Sequence, residues 1–592
     1  MDFYGFYTGT EFEAYKYLGA HCSGKSTVFR TFAPAAEKIS LIGEFNGWQE
    51  TEMTPVYDGN FYECTYKGAV HGMMYKYRIY KKDGTVTDHC DPYGYHAELR
   101  PDTASKIFDM NRYKFRDSKW MSKRGDFHNK PINIYELHAG SWKKPSDTSE
   151  EWYSYNELAD MLIPYLKMNG YNYVELLPLT EYPCDESWGY QPTGFFGTTS
   201  RYGDPDGLRE FTDKCHRNNI GVIMDFVPVH FAVDDYALWH YDGTALYEYP
   251  NSDVGQSEWG SCNFMHSRGE VRSFLQSAAY FRLNEFHCDG LRMDAVSNLI
   301  YWQGDSSRGE NKSAVEFIRN MNRGLKKRLP DVMLIAEDSS SYRGVTADTE
   351  KGGLGFDYKW DLGWMNDTLD YFKKSPSERT ANYHKLTFSM MYFYNEKYIL
   401  PLSHDETVHG KGTVIQKMYG DYDMKFPQAR AMYLYMYCHP GAKLNFMGNE
   451  LAHYREWDES RQLDWNLLTY PLHDGFYHYI RELNRIYAKY PALYAEDHSE
   501  SGFEWLDCKS EQLCVYSFLR KGEGQSLLAV FNFSDKLIDY ELSAGSIKKL
   551  KLIIDSSEQC YGGEYEHISP VIFDGTISFR LPPFSAQLYL VR

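Results

Sequence analysis

A chain of 592 residues is too long for one hydrophobic core, so roughly two to four domains are expected. Its formal charge of −19 leaves out the clustered Lys and Arg that a phosphate backbone demands, so nucleic acid is not an expected partner. No apolar run approaches the roughly 20 residues of a membrane-spanning helix, and the 11 scattered cysteines, with no C-x-x-C pair, suit neither a disulfide framework nor a zinc site.

The opening MDFYGFYTGTEFEAYKYLG has neither a basic start nor a continuous apolar core. It does not read as a secretory signal, and a cytoplasmic protein is expected. Short runs rich in β-branched and aromatic residues follow at Val28–Phe32, Lys38–Ile42, Phe61–Tyr66 and Tyr75–Tyr80. Asn46-Gly47, Asp58-Gly59 and Asp83-Gly84 punctuate them as turns, so residues 1–112 are predicted to form a β-sandwich. A basic stretch from Arg112 to Lys130 reads as a connector.

From Ile132 the rhythm changes to alternating strands and helices. Eight apolar strand candidates are Ile132–Leu137, Tyr173–Leu179, Gly221–Val229, Gly290–Val296, Val332–Ala336, Phe356–Trp360, Tyr398–Ser403 and Lys443–Met447. Several are almost unbroken apolar runs, as strands buried on both faces of a parallel sheet should be. Val271, Phe274, Leu275, Ala278 and Phe281 share one face of an intervening helix. Another helix, Ala314 to Leu329, ends on Lys326, Lys327 and Arg328 and is stopped by Pro330. Residues 113–490 are therefore predicted to form an α/β (β/α)₈ barrel. A doubly wound open sheet is the alternative fold, but no G-x-G-x-x-G follows the first strand. From about Pro491 short strands return, at Gln512–Leu519, Ser526–Phe533 and Ala586–Leu590, which predicts an all-β domain over 491–592.

Active sites of such barrels form at the carboxyl ends of the strands. Here the third strand carries Asp225 and then His230, the fourth Arg292 and Asp294, the fifth Glu337, and the seventh His404 and Asp405. Carboxylates and histidines are metal ligands, yet no H-x-x-x-H occurs and Arg292 beside the acids would oppose a cation. Cleavage of a glycosidic bond with retention is the other reading. It needs a nucleophilic carboxylate and an acid about 5 Å apart, a spacing that neighbouring strand tips can supply. Arg292 would keep the nucleophile ionised, and burial would hold the acid protonated. Aromatic residues make up 17% of the chain, including 52 Tyr; such rings suit the C–H face of a pyranose, although tyrosine-rich cores and surfaces account for the number equally well.

DFVPVH (Asp225–His230), GLRMDAV (Gly290–Val296), the glutamate of LIAED (Glu337) and LSHDE (Leu402–Glu406) resemble, in order, the four sequence regions of the α-amylase superfamily, glycoside hydrolase family 13. YELHAGSW (Tyr135–Trp142), WGYQPTGFF (Trp188–Phe196), SHDETVHGK (Ser403–Lys411) and FMGNELAHYREW (Phe446–Trp457) resemble its branching enzymes, and GEFNGW (Gly43–Trp48) is similar to the carbohydrate-binding module, family 48, that precedes such barrels. Met293 and His453 depart from the commonest pattern of that family. The resemblance implies Asp294 as nucleophile, Glu337 as general acid and base, and Asp405 as stabiliser of the transition state. It also implies that Arg292 orients Asp294, that His230 and His404 hydrogen-bond the sugar, that Tyr190 stacks on it, and that Asp225 supports the group. No cofactor or metal is implied. The expected partner is an α-1,4-glucan, handled by a monomer.

The carboxylate triad dictates retaining chemistry and not the acceptor. Transfer to a glucan 6-hydroxyl is the first reading, an α-glucan hydrolase or debranching enzyme the second, and a silent glucan-binding protein the third. Transfer needs acceptor-binding surface, for which the loop rings Trp239, Tyr241, Trp259, Tyr454, Trp457 and Trp465 are candidates.

Overall fold

The computed structural model describes every residue except Asp126, Asp147, Thr148, Ser149, Glu150, Ala544 and Ser546; the first of these lies in the predicted connector. Eight parallel strands close into a barrel whose neighbours follow chain order. They are β1 (Asn133–Leu137), β2 (Tyr173–Leu176), β3 (Gly221–Phe226), β4 (Gly290–Met293), β5 (Met333–Ala336), β6 (Tyr358–Trp360), β7 (Tyr398–Leu402) and β8 (Ala442–Phe446). Every residue of β3, β4, β5, β7 and β8 is buried, which is why β5 and β7 read as apolar runs, whereas β8 alternates apolar residues with the buried Lys443 and Asn445. Among the described residues no helix is long and apolar enough to cross a membrane.

The chain packs as two compact units. One comprises Met1–Gly125, His138–Ile163 and Glu175–Asp357, the other Asp126–Leu137, Pro164–Val174 and Tyr358–Arg592.

In the first unit, the amino-terminal strands form two antiparallel sheets. Ser26–Phe32 pairs with Phe61–Lys67 in one, and Lys38–Gly43 with Met74–Tyr80 in the other. The predicted turns hold, with Gly47, Gly59 and Gly84 at positive φ. A helix over Phe3–Thr8, which the sequence reading did not foresee, packs on the helix Gly269–Glu285 of the barrel. Ser273 Oγ donates to Phe6 O at 3.0 Å there, and a Cβ on Gly269 would lie 1.9 Å from Tyr7 O, so only glycine allows this approach.

The connector is tied beneath β3 and β4. Asp289, the residue before β4, accepts from Trp120 Nε1 (2.7 Å), from the main-chain N–H of Val222 (2.7 Å) and from His216 Nε2 (2.9 Å), while His216 Nδ1 meets Asp117 at 2.8 Å. Burial by itself would lower the pKa of His216, but Asp289 and Asp117 outweigh it and raise the value to about 9. The same pairing holds Asp117 well below the usual carboxylate range against its own burial. The signs follow from linkage. A histidine with a raised folded pKa contributes stability that is complete below about 6.5 and disappears as pH climbs through about 9. The depressed Asp117 contributes above its ordinary value of 3.8 and loses that contribution as pH falls. We expect the parent to lose thermal stability between pH 6.5 and 9, by as much as about 3 kcal/mol through this histidine. His216→Gln should be less stable at pH 6 and show a flatter slope over that window in thermal melts. Parallel slopes for the two proteins would remove His216 as the cause.

In the second unit, the carboxyl-terminal region is all-β. Strands Phe503–Ser510, Val515–Gly522, Gln525–Asn532 and Ser585–Val591 lie side by side in a five-stranded sheet, accompanied by a three-stranded sheet. One of its cores comprises Val515, Leu528, Val530, Tyr540, Ile577 and Phe579.

Candidate active site

The first cluster of predicted site residues belongs to the first unit. β3 and β4 pair so that Asp225 lies opposite Arg292, and β4 and β5 pair so that Met293 lies opposite Ala336. This register brings Asp225, Arg292, Asp294 and Glu337 to adjoining strand ends. Arg292 is fully buried and holds the group together. Its Nη1 donates to Asp225 Oδ2 (2.9 Å), to Asp294 Oδ1 (2.9 Å) and to the Tyr190 hydroxyl (3.2 Å), and its Nη2 lies 3.7 Å from Glu337 Oε2. The Tyr190 hydroxyl in turn donates to Asp225 Oδ2. Burial would lower the guanidinium pKa, but Asp225, Tyr190, Asp294 and Glu337 together raise it well above the ordinary arginine value. The cation is permanent, and it compensates carboxylates that would be costly to bury alone.

Glu337 is clamped by the main chain of the Asp294 segment. Its N–H donates to Met293 O (3.0 Å), its carbonyl accepts from Val296 N (2.8 Å), and its Oε2 accepts from Ala295 N (2.6 Å). Ala295 achieves this at φ 47°, a left-handed conformation that costs a non-glycine residue about 1 kcal/mol or more. The strain turns the N–H after Asp294 toward the neighbouring carboxylate. Asp294 and Glu337 keep side-chain exposures of 15% and 18%, enough for both to reach a ligand.

His230 lies just beyond β3 and is buried, which lowers its pKa to about 4. It is therefore a neutral imidazole across the physiological range. Its Nδ1 has no hydrogen-bond partner among the described residues, and the ring of Trp259 packs on it at 5.0 Å. Trp259 is itself 43% exposed, so this candidate ring does offer a face. Tyr241 does not: it is fully buried, with its hydroxyl 2.7 Å from Thr31 Oγ1.

The second cluster belongs to the second unit, at the end of β7. His404 is buried, and Asp405 beside it is half exposed, with its Oδ1 3.6 Å from His404 Nε2. The sequence reading missed the residue that fixes this histidine. Glu136, fully buried on β1, accepts from the main-chain N–H of His404 (2.9 Å) and pairs with its Nδ1 at 2.5 Å. With Nδ1 so engaged, the ring is fixed with Nε2 turned toward Asp405. The available signal was a glutamate between Tyr135 and Leu137 in a strand with every residue buried. Trp457 packs edge-on against His404 (6.2 Å) and Phe446 (5.1 Å), with its N–H donating to Thr407 O (2.9 Å). At 8% exposure its placement is that of a packing residue beneath the histidine. We expect Glu136→Gln to fold normally and to lower kcat about tenfold or more. The amide cannot accept from both N–H groups as a carboxylate does, and a charge-assisted hydrogen bond is lost. Turnover unchanged in the variant would mean that Glu136 serves only the fold.

Comparison with known proteins adds three family matches: carbohydrate-binding module 48 (isoamylase N-terminal domain) over residues 17–94, the alpha amylase catalytic domain over 160–243, and the alpha amylase C-terminal all-beta domain over 505–592. The chain is 43% identical to a 1,4-alpha-glucan branching enzyme GlgB of Fusobacterium nucleatum, over 96% of this chain and 93% of that protein. A protein of the same description from Oceanobacillus iheyensis is 42% identical over 100% of this chain and 98% of its own length. A pullulanase structure from Anoxybacillus sp. covers 99% of this chain and 89% of its own, at a TM-score of 0.75 and 16% identity, which is a likeness of fold.

Proposed function

Because the chain belongs to the 1,4-α-glucan branching enzymes of the α-amylase family, we propose that Asp294 attacks the anomeric carbon of an α-1,4-linked glucan and Glu337 protonates the departing oxygen. The covalent glycosyl-enzyme so formed is then opened by the 6-hydroxyl of another glucan chain. Glu337, now a carboxylate, takes the hydroxyl proton, and the α-configuration is restored. The observation that carries this reading is the buried Arg292, which bonds Asp294 directly and holds it as an oriented anion while Glu337 stays within 3.7 Å of the same guanidinium.

The two carboxylates have unequal surroundings. Asp294 accepts directly from Arg292, whereas Glu337 lies 3.7 Å from the same guanidinium, accepts the Ala295 N–H on Oε2 and acts first in its protonated form. Ionised Asp294 nearby, and exclusion of water by a bound chain, favour that protonated state. Asp405 stabilises the oxocarbenium-like transition state, His230 and His404 bind the sugar flanking the cleaved bond, and Tyr190 packs on it, with Asp225 holding Tyr190 and Arg292. The substrate is a glycogen- or starch-like polymer, the enzyme a cytoplasmic monomer that needs no cofactor. Its domains run over 1–112, 113–490 and 491–592.

Incubation with amylose tests the acceptor. Iodine staining should fall and α-1,6 proton signals should grow with almost no new reducing ends. Reducing ends growing without α-1,6 signals would overturn the reading in favour of hydrolysis.

A further inference from the structure

Asp405 stands on one short 3₁₀ turn, His404–Thr407, at the end of β7. Such a turn leaves its last carbonyls without partners of its own, so they must be met from elsewhere. Val408, which follows, is extended at φ −137°, so the turn is not closed by a left-handed residue. Three donors from beyond the turn meet the carbonyls instead. Lys411 Nζ donates to Asp405 O (2.7 Å), Lys417 Nζ to Glu406 O, and the main-chain N–H of Trp457 to Thr407 O (2.9 Å). Cations at this end also suit the partial negative charge that aligned carbonyls leave there.

The two lysines are not equivalent. Lys411 keeps 45% of its side chain exposed and divides its bonds between Asp405 O and Glu406 Oε1 (3.2 Å), so water can take its place. Lys417 is 5% exposed, and its second bond goes to Gly412 O (2.6 Å), so a single ammonium joins the Asp405 turn to the loop beyond it. Glu456, from the loop after β8, fastens that same stretch by accepting from Gly410 N (3.1 Å) and Gly412 N (2.6 Å). An ammonium withdrawn from water is costly. Burial lowers the pKa of Lys417 to about 8; Lys373 and Lys411 act in the same direction, while Glu406 and Glu456 oppose them. Two carbonyls could be satisfied by a neutral donor at less cost. A buried charge at this place therefore points to a need for a strong and directed grip.

We propose that Lys417 is a positioning residue for the reaction: it meets no substrate itself, and by gripping Glu406 O and Gly412 O it fixes the turn from which Asp405 projects. The proposal rests on the glucan-branching reading, in which Asp405 stabilises the transition state. A carboxylate displaced by a fraction of an ångström forfeits an interaction that is strongest at the transition state, so the loss falls on kcat and spares KM.

The test is steady-state branching of amylose by the full-length enzyme across pH. Lys417→Met, nearly equal in length, should lower kcat about tenfold with KM within about twofold of the parent, as loss of a charge-assisted hydrogen bond predicts. The ammonium of Lys417 is present below pH 8 or so and lost above it, so the parent's kcat should fall as pH rises through about 8. The deficit of the Met variant should narrow over the same window, because the parent then loses the same charge. Lys417→Arg carries a cation that does not titrate there, and its fall should move to higher pH. Should the Met variant fail to fold, the Arg profile decides alone. An alkaline limb identical in parent and Arg variant, or a folded Met variant with the parent's kcat, would overturn the role. Asp405→Asn, assayed in parallel, separates the two claims. Near-complete loss there with both Lys417 variants unaffected sinks only the positioning role, whereas an active Asp405→Asn protein sinks the reading beneath it.

Discussion

Asp294→Asn should lose roughly 10³-fold or more of the turnover on amylose, about 4 kcal/mol of barrier, with melting behaviour close to that of the parent. The amide has the shape of the carboxylate but cannot form the glycosyl ester. Arg292 keeps its bond to Asp225 and its position near Glu337, so the buried cation is not abandoned when one acceptor becomes neutral. The strain at Ala295 and the three main-chain contacts to Glu337 are also untouched, which argues that the loss is chemical and not structural. Purified variant and parent, compared by iodine staining and by α-1,6 proton signals, give the measurement. Activity within tenfold of the parent would remove Asp294 from the nucleophile's role.

The second large effect belongs to Glu337→Gln. Its loss on amylose should be comparable, because an unactivated glycosidic oxygen leaves poorly without a proton. The two variants part company on an activated glucosyl donor, such as a glucosyl fluoride, whose leaving group needs no protonation. With Gln at 337, Asp294 is still ionised by Arg292 and should still form the covalent intermediate. Deglycosylation then stalls, since the general base is gone, and the glycosyl-enzyme should accumulate to a level seen by intact-protein mass. With Asn at 294 no such adduct should form. A folded Glu337→Gln protein that never shows the adduct would count against the division of labour between the two carboxylates.

The barrel was legible because strands buried on both faces of a parallel sheet write themselves as unbroken apolar runs. All eight predicted strands overlap observed ones, and their bounds differ mostly where a run continues past the strand into its loop, as at Tyr173–Leu176 and Gly221–Phe226. The strand-tip residues Asp225, Arg292, Asp294, Glu337, His404 and Asp405 were legible for a related reason, since a charge ending an apolar run announces a position where burial gives way to a rim. Other features depend on pairs distant in the chain, and only the tertiary structure decides them. Glu136 and His404 are 268 residues apart, and nothing local ties the glutamate of one strand to the histidine of another. The helix Phe3–Thr8 exists because Gly269 leaves a surface on which it can lie. Tyr241 and Trp457, equal in sequence to the exposed Trp259, are buried by what packs over them. The left-handed turn at Ala295 is set by the contact it makes with Glu337 and by no preference of alanine. Local pattern reports which face of an element is buried, whereas the identity of the partner that buries it, and the strain accepted to meet that partner, are properties of the assembled packing.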